Sequence, residues 1–441
     1  MSIPHFTPAP PCAKALSCRP APAALLAIIL LAAPVCFADP ALTLPEAQRL
    51  ALQRSRQLAV HDHTADAARQ MAVAAAQLPD PVLKAGIDNL PLSGADRFNL
   101  GSDFMTMRRI GISQELTSTD KRRRRAELFA QEQGKALAEK NAATARIERE
   151  TALAWLESYF TRQIARLIAE QAVQAANDIE AAASTYRGGR GSLADIAAAR
   201  GALALVQDRV AEALRHSRNA ALMLARWSGQ DTAVPLAGLP AMDVVSVDLA
   251  ALKQGLDTVL AHHPAITVLT RQERLAQAEA NLAAAATKAD WSLEVALQQR
   301  GASYSNMVSV GISVPLQWDR PNRQHREVAM KLALAEAAKA EREEAEREHL
   351  AQIRAMADEW DTNRARLVRL DKDLLPQARQ RTEATLAAYR GGKATLMELL
   401  TARRGETDAA LRVLQLQAET ARLWAQLNYL IPSVQSAEVA K

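Results

Sequence analysis

Residues 44–77 and 249–288 read as helical, and directly after each stretch the pattern of apolar positions shortens to a period of two. Leu83, Ala85 and Ile87 alternate with Lys84, Gly86 and Asp88. Ile110, Ile112 and Leu116 alternate with Arg109, Ser113 and Glu115. Further along, Leu293, Val295 and Leu297 alternate with Glu294, Ala296 and Gln298. Val308, Val310, Ile312, Val314 and Leu316 oppose Met307, Ser309, Gly311 and Ser313. Such alternation marks strands with one apolar face. The strand pairs are expected at about 82–116 and 291–316, in runs of about 9–11 residues, the length a tilted strand needs to cross a bilayer.

Each strand pair is followed by a very long helix. Residues 121–184 hold no proline and a single glycine, Gly134, so an unbroken helix there would span about 96 Å. The counterpart runs over about 323–387 and carries Pro376 where the first has Val173. Proline removes a helix hydrogen bond and crowds the preceding turn, which predicts a kink. A glycine turn then sends each chain segment back along a second helix, to about Trp227 and Leu430. Helices of this length with small apolar faces predict coiled-coil-like hairpins.

The two halves are copies. Tyr186-Arg187-Gly188-Gly189 with Leu193 and Ala199-Arg200 returns as Tyr389-Arg390-Gly391-Gly392 with Leu396 and Ala402-Arg403, always 203 residues on. Ile110-Gly111-Ile112-Ser113 returns as Val310-Gly311-Ile312-Ser313 after 200 residues, and Leu83 as Leu293 after 210. Chance likeness between alanine-rich helices would not keep turn, strand pair and order together. The expected layout is a leader at 1–38, a first repeat at 39–240 and a second at 241–441.

Composition sharpens this picture. Of 441 residues only 4% are aromatic and 23% charged, which suits long helices better than a sandwich or a doubly wound sheet. A mean hydropathy of −0.14 excludes a bundle of membrane helices. The net charge of +5 is small for the length and offers no case for nucleic acid. Cys12, Cys18 and Cys36 all fall within the first 36 residues. There Lys14 and Arg19 precede the apolar run 21–33 and small residues before Asp39, the pattern of a secretory signal cleaved after Ala38. The run is short for a membrane anchor. Pro34 and Val35 fit a lipoprotein signal at Cys36 poorly. Cleavage leaves a chain of net charge +3 with no cysteine, which excludes thiol catalysis, disulfides and cysteine metal cages.

Four strands cannot close a barrel, and an open edge in lipid leaves backbone groups unpaired at several kcal/mol each. Strands that cross a membrane here therefore require oligomerisation. Two chains give eight strands and a filled interior; three give twelve and room for a channel.

With the repeat, strand pairs and Tyr-x-x-Gly turns in place, the mature chain resembles the TolC family of outer-membrane channel proteins. The resemblance implies a mainly helical chain with a small transmembrane β part. Four strands from each of three copies would form a twelve-strand barrel, continued by a helical tunnel through the periplasm of a Gram-negative bacterium. It implies docking on a periplasmic adaptor and an inner-membrane pump of the resistance-nodulation-division type. The first strand pair narrows it. Leu78-Pro79-Asp80-Pro81, Gly86-Ile87-Asp88-Asn89-Leu90-Pro91 and the run from Asp103 to Leu116 resemble the branch serving heavy-metal pumps. That branch exports cations such as copper, silver, cobalt, zinc or cadmium. Ducts for drugs, solvents or secreted polypeptides share the architecture. A periplasmic coiled-coil adaptor is the rival of another class, but no lipoyl-like β block is evident.

Candidate residues follow. The turns with Tyr186, Gly188, Gly189 and Leu193, and with Tyr389, Gly391, Gly392 and Leu396, are expected to form the tip that meets the adaptor; glycine supplies positive φ cheaply. Asp195 and Arg200, copied as Glu398 and Arg403, would become charge rings at the tunnel mouth, or else ordinary helix-face pairs. Lys121, Arg122, Arg123, Arg124 and Arg125 follow a strand directly and are expected as a basic collar near anionic headgroups, with Arg320, Arg323 and Arg326 in the second copy. His61, His63, His262 and His263 lack metal-ligand spacing and read as surface histidines. Met105, Met107 and Met307 offer thioethers of the kind that bind Cu(I) or Ag(I), but lone strand methionines usually serve packing. No metal site, cofactor or catalytic constellation is expected.

Overall fold

A computed structural model describes residues 41–245 and 263–430. The leader with Cys36, the stretch 246–262 with His262, and residues after 430 lie outside the described residues.

The first half opens with α1 (Leu44–Arg54) and α2 (Arg56–Ala75). The single helix expected over 44–77 is broken at Ser55, which ends α1 in an extended conformation and caps α2 by accepting from Leu58 N–H. Then come β1 (Val82–Asp88), β2 (Met107–Leu116), α3 (Thr119–Arg187) and α4 (Leu193–Ser228). The second half repeats the order with α5 (Pro264–Ala286), β3 (Trp291–Gln299), β4 (Met307–Ser313), α6 (Gln324–Arg369), α7 (Leu375–Arg390) and α8 (Leu396–Asn428). At 69 residues, α3 is about 103 Å long. Its counterpart is interrupted by a five-residue π turn, Leu370–Leu374, and Pro376 sits in the first turn of α7. The expected defect is thus a π turn just before the proline. There the missing N–H of Pro376 is absorbed without a full break.

Buried positions in the long helices recur every seven residues. They are Ala138, Ala145 and Ala152 on α3, and Ala199, Val206, Ala213 and Ala220 on α4. On α8 they are Ala402, Ala409, Leu416 and Leu423, with Leu399, Val413, Thr420 and Leu427 alongside. A strict seven-residue repeat holds one seam toward its neighbour by left-handed supercoiling, and alanine lets the helices approach closely. The largest core lies midway along α3 and α6, where the return helices end, and there Leu42, Trp155, Leu156, Phe160, Ile353, Trp360, Trp424 and Leu427 pack together. Trp155 Nε1 donates to Leu42 O and Trp424 Nε1 to Val244 O, each at 3.0 Å, pinning both connecting segments to the helices.

The four strands form one antiparallel sheet in the order β1-β2-β3-β4. The central strands have 10 and 9 residues, but the outer two have only 7, short of the expected length. The outer strands have one neighbour each; β1 starts directly after Pro81 and β4 ends two residues before Pro315, and neither proline has an N–H for a ladder. Val314 and Leu316, expected in the last strand, lie beyond its end at Ser313.

Candidate functional site

The register sorts the sheet into two unlike faces. Ile112 lies opposite both Leu83 and Val295, Ile110 opposite Ala85 and Leu297, and Val310 opposite Val295. The aliphatic residues therefore form one continuous face, and most of them are exposed. Four strands about 4.8 Å apart and about 25 Å long present roughly 500 Å², near the top of what a soluble monomer shows water. Trp291, opposite Leu116, stands on this face at one end, with exposed Trp318 just beyond β4. Exposed Phe98, Phe104 and Tyr304 lie in the loops at the other end. An aliphatic band between aromatic ends is the pattern carried by the outer surface of membrane barrels.

The opposite face is polar and ion-paired. Lys84 Nζ lies 2.5 Å from Glu294, and Arg109 bridges Asp88 at 3.3 Å and Glu294 at 3.5 Å. Ser113 and Ser292 share a hydrogen bond of 3.3 Å. Gly111 belongs to this face because a Cβ there would stand 2.7 Å from Ala296 Cβ.

The two tip turns are built alike. Arg190 N–H donates to Thr185 O, and Lys393 N–H to Ala388 O. Gly189 and Gly392 have φ of +75° and +70°, whereas Gly188 and Gly391 sit at −77° and −79°. Positive φ, expected of these glycine turns, falls only on the second glycine of each pair; the first is not demanded by backbone conformation. The copies differ in surroundings. Leu193 is 66% exposed and Leu396 3%. Tyr186 is open, while Tyr389 packs near Leu396 and Leu399 and bonds Thr185.

Asp195 and Glu398 are the inner members of capping boxes. Each carboxylate accepts from the N–H and hydroxyl of its cap, Ser192 or Thr395, and its own N–H is bound in return. These bonds hold the Glu398 carboxyl below its ordinary range. Arg403 turns to neither. It reaches across to Asp178, 3.2 Å away and 3% exposed, and to Gln174 at 3.1 Å. Burial pushes the Asp178 carboxyl up, and Arg403 opposes that shift. Arg200, the copy of Arg403, is exposed. Asp178 was missed because an aspartate inside a long polar helix has no local sequence signal.

The basic run winds around the first turns of α3 and faces several ways. Lys121 is buried, 2.6 Å from Asp290, and donates to Lys288 O, so it does not face headgroups as expected. Arg122 donates to Ala76 O, Arg123 and Arg124 pair with Asp120, and only Arg123 of the five is exposed. A helix turns 100° per residue, so five consecutive cations cannot share one surface.

Among the described residues, no three His, Cys, Asp or Glu side chains come together as a metal site, and no helix is long and apolar enough to cross a membrane. His61 lies 3.7 Å from Glu139. His263 is buried rather than on the surface, its ring 4.7 Å from that of His349. Its pKa is lowered to about 4, first by burial, then by His349 and Arg149. Met105 and Met307 are exposed and Met107 half-buried.

No family model and no curated protein sequence matches the chain. Solved structures do. The outer-membrane channel OprN superposes with a TM-score of 0.74 at 20% identity, over 88% of this chain and 90% of that one. The Campylobacter jejuni outer-membrane channel CmeC gives 0.74 at 14% identity, over 90% and 88%. CusC, described in terms of folding and transmembrane channel formation, gives 0.75 at 15%, over 88% and 92%. The chain therefore has the fold of these channel subunits along nearly its whole described length.

Proposed function

We propose that three copies of this chain form an outer-membrane duct in a Gram-negative bacterium. The duct serves a tripartite efflux system that carries heavy-metal cations from periplasm to exterior. The observation that carries the reading is the sheet. Its aliphatic face is continuous and exposed, its other face holds an ion-pair network, and among the described residues both of its edges are free. Twelve such strands close with lipid outside and water inside, and free edges vanish. The fold shared with OprN, CmeC and CusC supports a channel rather than a soluble adaptor. The helices then extend the barrel as a periplasmic tube. The turns at Gly188-Gly189 and Gly391-Gly392 become its tip, where an adaptor docks and an inner-membrane pump supplies the energy. Arg123, with its neighbours Arg124 and Arg125, lies where anionic headgroups would meet the collar.

The cation cargo rests on the first strand pair, from Leu78-Pro79-Asp80-Pro81 to Leu116. The duct itself acts without catalysis and binds cargo weakly, since a tight site would stop flow. The test is a deletion strain challenged with copper, silver, zinc, cobalt and cadmium, and with drugs and detergents, with complementation by the intact gene. Hypersensitivity to one metal group alone is expected. Sensitivity confined to drugs or detergents overturns the cargo and leaves the duct.

A further inference from the structure

Within one chain, three polar ties toward the tips cross from the first hairpin to the second, and Arg422 of α8 pairs with Glu157 of α3 farther from the tips. Asp178 of α3 holds Arg403 of α8, which also donates to Gln174. Arg209 of α4 lies 3.7 Å from Asp408 of α8. Thr185 Oγ1 and the Tyr389 hydroxyl are 3.3 Å apart. The 203-residue offset gives the counterpart of each group on the outer flanks of the chain. Gln174 is kept as Gln377, Arg403 as Arg200, Arg209 as Arg412 and Tyr389 as Tyr186. Their partners are not kept: Asp178 becomes Arg381, Asp408 becomes Leu205 and Thr185 becomes Ala388. Arg200, Arg381 and Arg412 are all exposed in the single chain.

In a ring of copies, which rests on the trimeric duct above, α7 of one chain meets α4 of the next as α3 meets α8 within a chain. Two guanidinium groups then face each other where the internal junction has a carboxylate and a guanidinium. Like charges at contact distance repel, and the counterpart positions of Asp178 and Asp408 hold Arg381 and Leu205 rather than carboxylates. The internal junction shows what these arginines accept.

We propose that the tip seam between adjoining copies is an arginine-lined docking groove for a partner helix bearing carboxylates. Those carboxylates seat on Arg200, Arg381 and Arg412 as Asp178 and Asp408 seat within the chain. Charge-assisted bonds to guanidinium are strong and directional, so the groove selects acidic helices over neutral ones of the same shape. Its occupancy also relieves the repulsion between copies, which couples docking to the spacing of the tips.

The probe is a fluorescent alanine-rich helical peptide with glutamates seven residues apart, beside the same peptide with glutamines. It is titrated into the purified full chain, whose mass is first measured by light scattering. The glutamate peptide is expected to bind at least about tenfold more tightly than its glutamine twin, less so at high salt. R381D, which supplies a carboxylate from the chain itself, should abolish that preference, and Arg381→Gln should weaken it. Equal affinities for the two peptides, or a preference that survives R381D, overturn the proposal. A chain that stays monomeric sinks the duct reading and the seam together. A trimer without the preference sinks the seam alone.

Discussion

Single residues at the tips carry distinct loads. Gly392→Ala places a Cβ at φ +70° and should cost about 1 kcal/mol, whereas Gly391→Ala, at φ −79°, should stay within about 0.5 kcal/mol. Urea midpoints of the two variants decide between them. Arg403→Ala leaves Asp178 buried without its cation and should cost about 3 kcal/mol. Its exposed copy Arg200→Ala should cost almost nothing in the same assay. His263 is neutral in the fold down to about pH 4, while an unfolded histidine takes up its proton near pH 6.5. The unfolded chain therefore binds the proton first. Stability should be flat above about pH 6.5 and fall as pH drops from there toward 4. Midpoints at pH 7.5 and pH 5 should differ less in His263→Gln than in the parent chain. Residue roles were only partly legible. The Ser192-x-x-Asp195 and Thr395-x-x-Glu398 spacings do announce capping boxes, yet the same carboxylates also suggested a charged mouth. The ion pair of Arg403 lies across two hairpins, where no short-range pattern reaches.

Elements were more legible than residues. Strand alternation, helix length and turn position follow from local chemistry, and the structure places all four strands where period two appears. What the pattern could not fix were ends and breaks. The outer strands are shorter than the central ones and have one partner each, and the first helix breaks at Ser55, whose hydroxyl caps a new one. Lys121 turned inward because Asp290, from the other repeat, sits beside it. Gly111 tests the sheet as an element. A valine there meets Ala296 Cβ and Val295 O, with shifts forced at 2.7 and 3.0 Å, so the β2–β3 ladder should part. Gly311, its copy, has open space in the single chain. Gly111→Val should therefore lower the yield of folded chain, read by circular dichroism and protease resistance, well before Gly311→Val does.

In the proposed duct the whole molecule is one sector of a ring. Its internal β2–β3 junction is a template for the junction its free edges lack. In that template Ile110 stands opposite Leu297. Carrying the repeat offsets of 200 and 210 residues across puts Val310 of one copy opposite Ile87 of the next. All three cysteines lie in the first 36 residues, so cysteines placed at these two strand positions pair without competition in a chain that lacks residues 1–38. The decisive measurement is oxidation of the double variant Val310→Cys, Ile87→Cys in isolated outer membranes, followed by denaturing electrophoresis without reductant. Closure of twelve strands from three copies predicts a ladder of dimer and trimer that ends at the trimer and collapses on reduction. Monomer alone, or a ladder that runs past three chains, would contradict the ring.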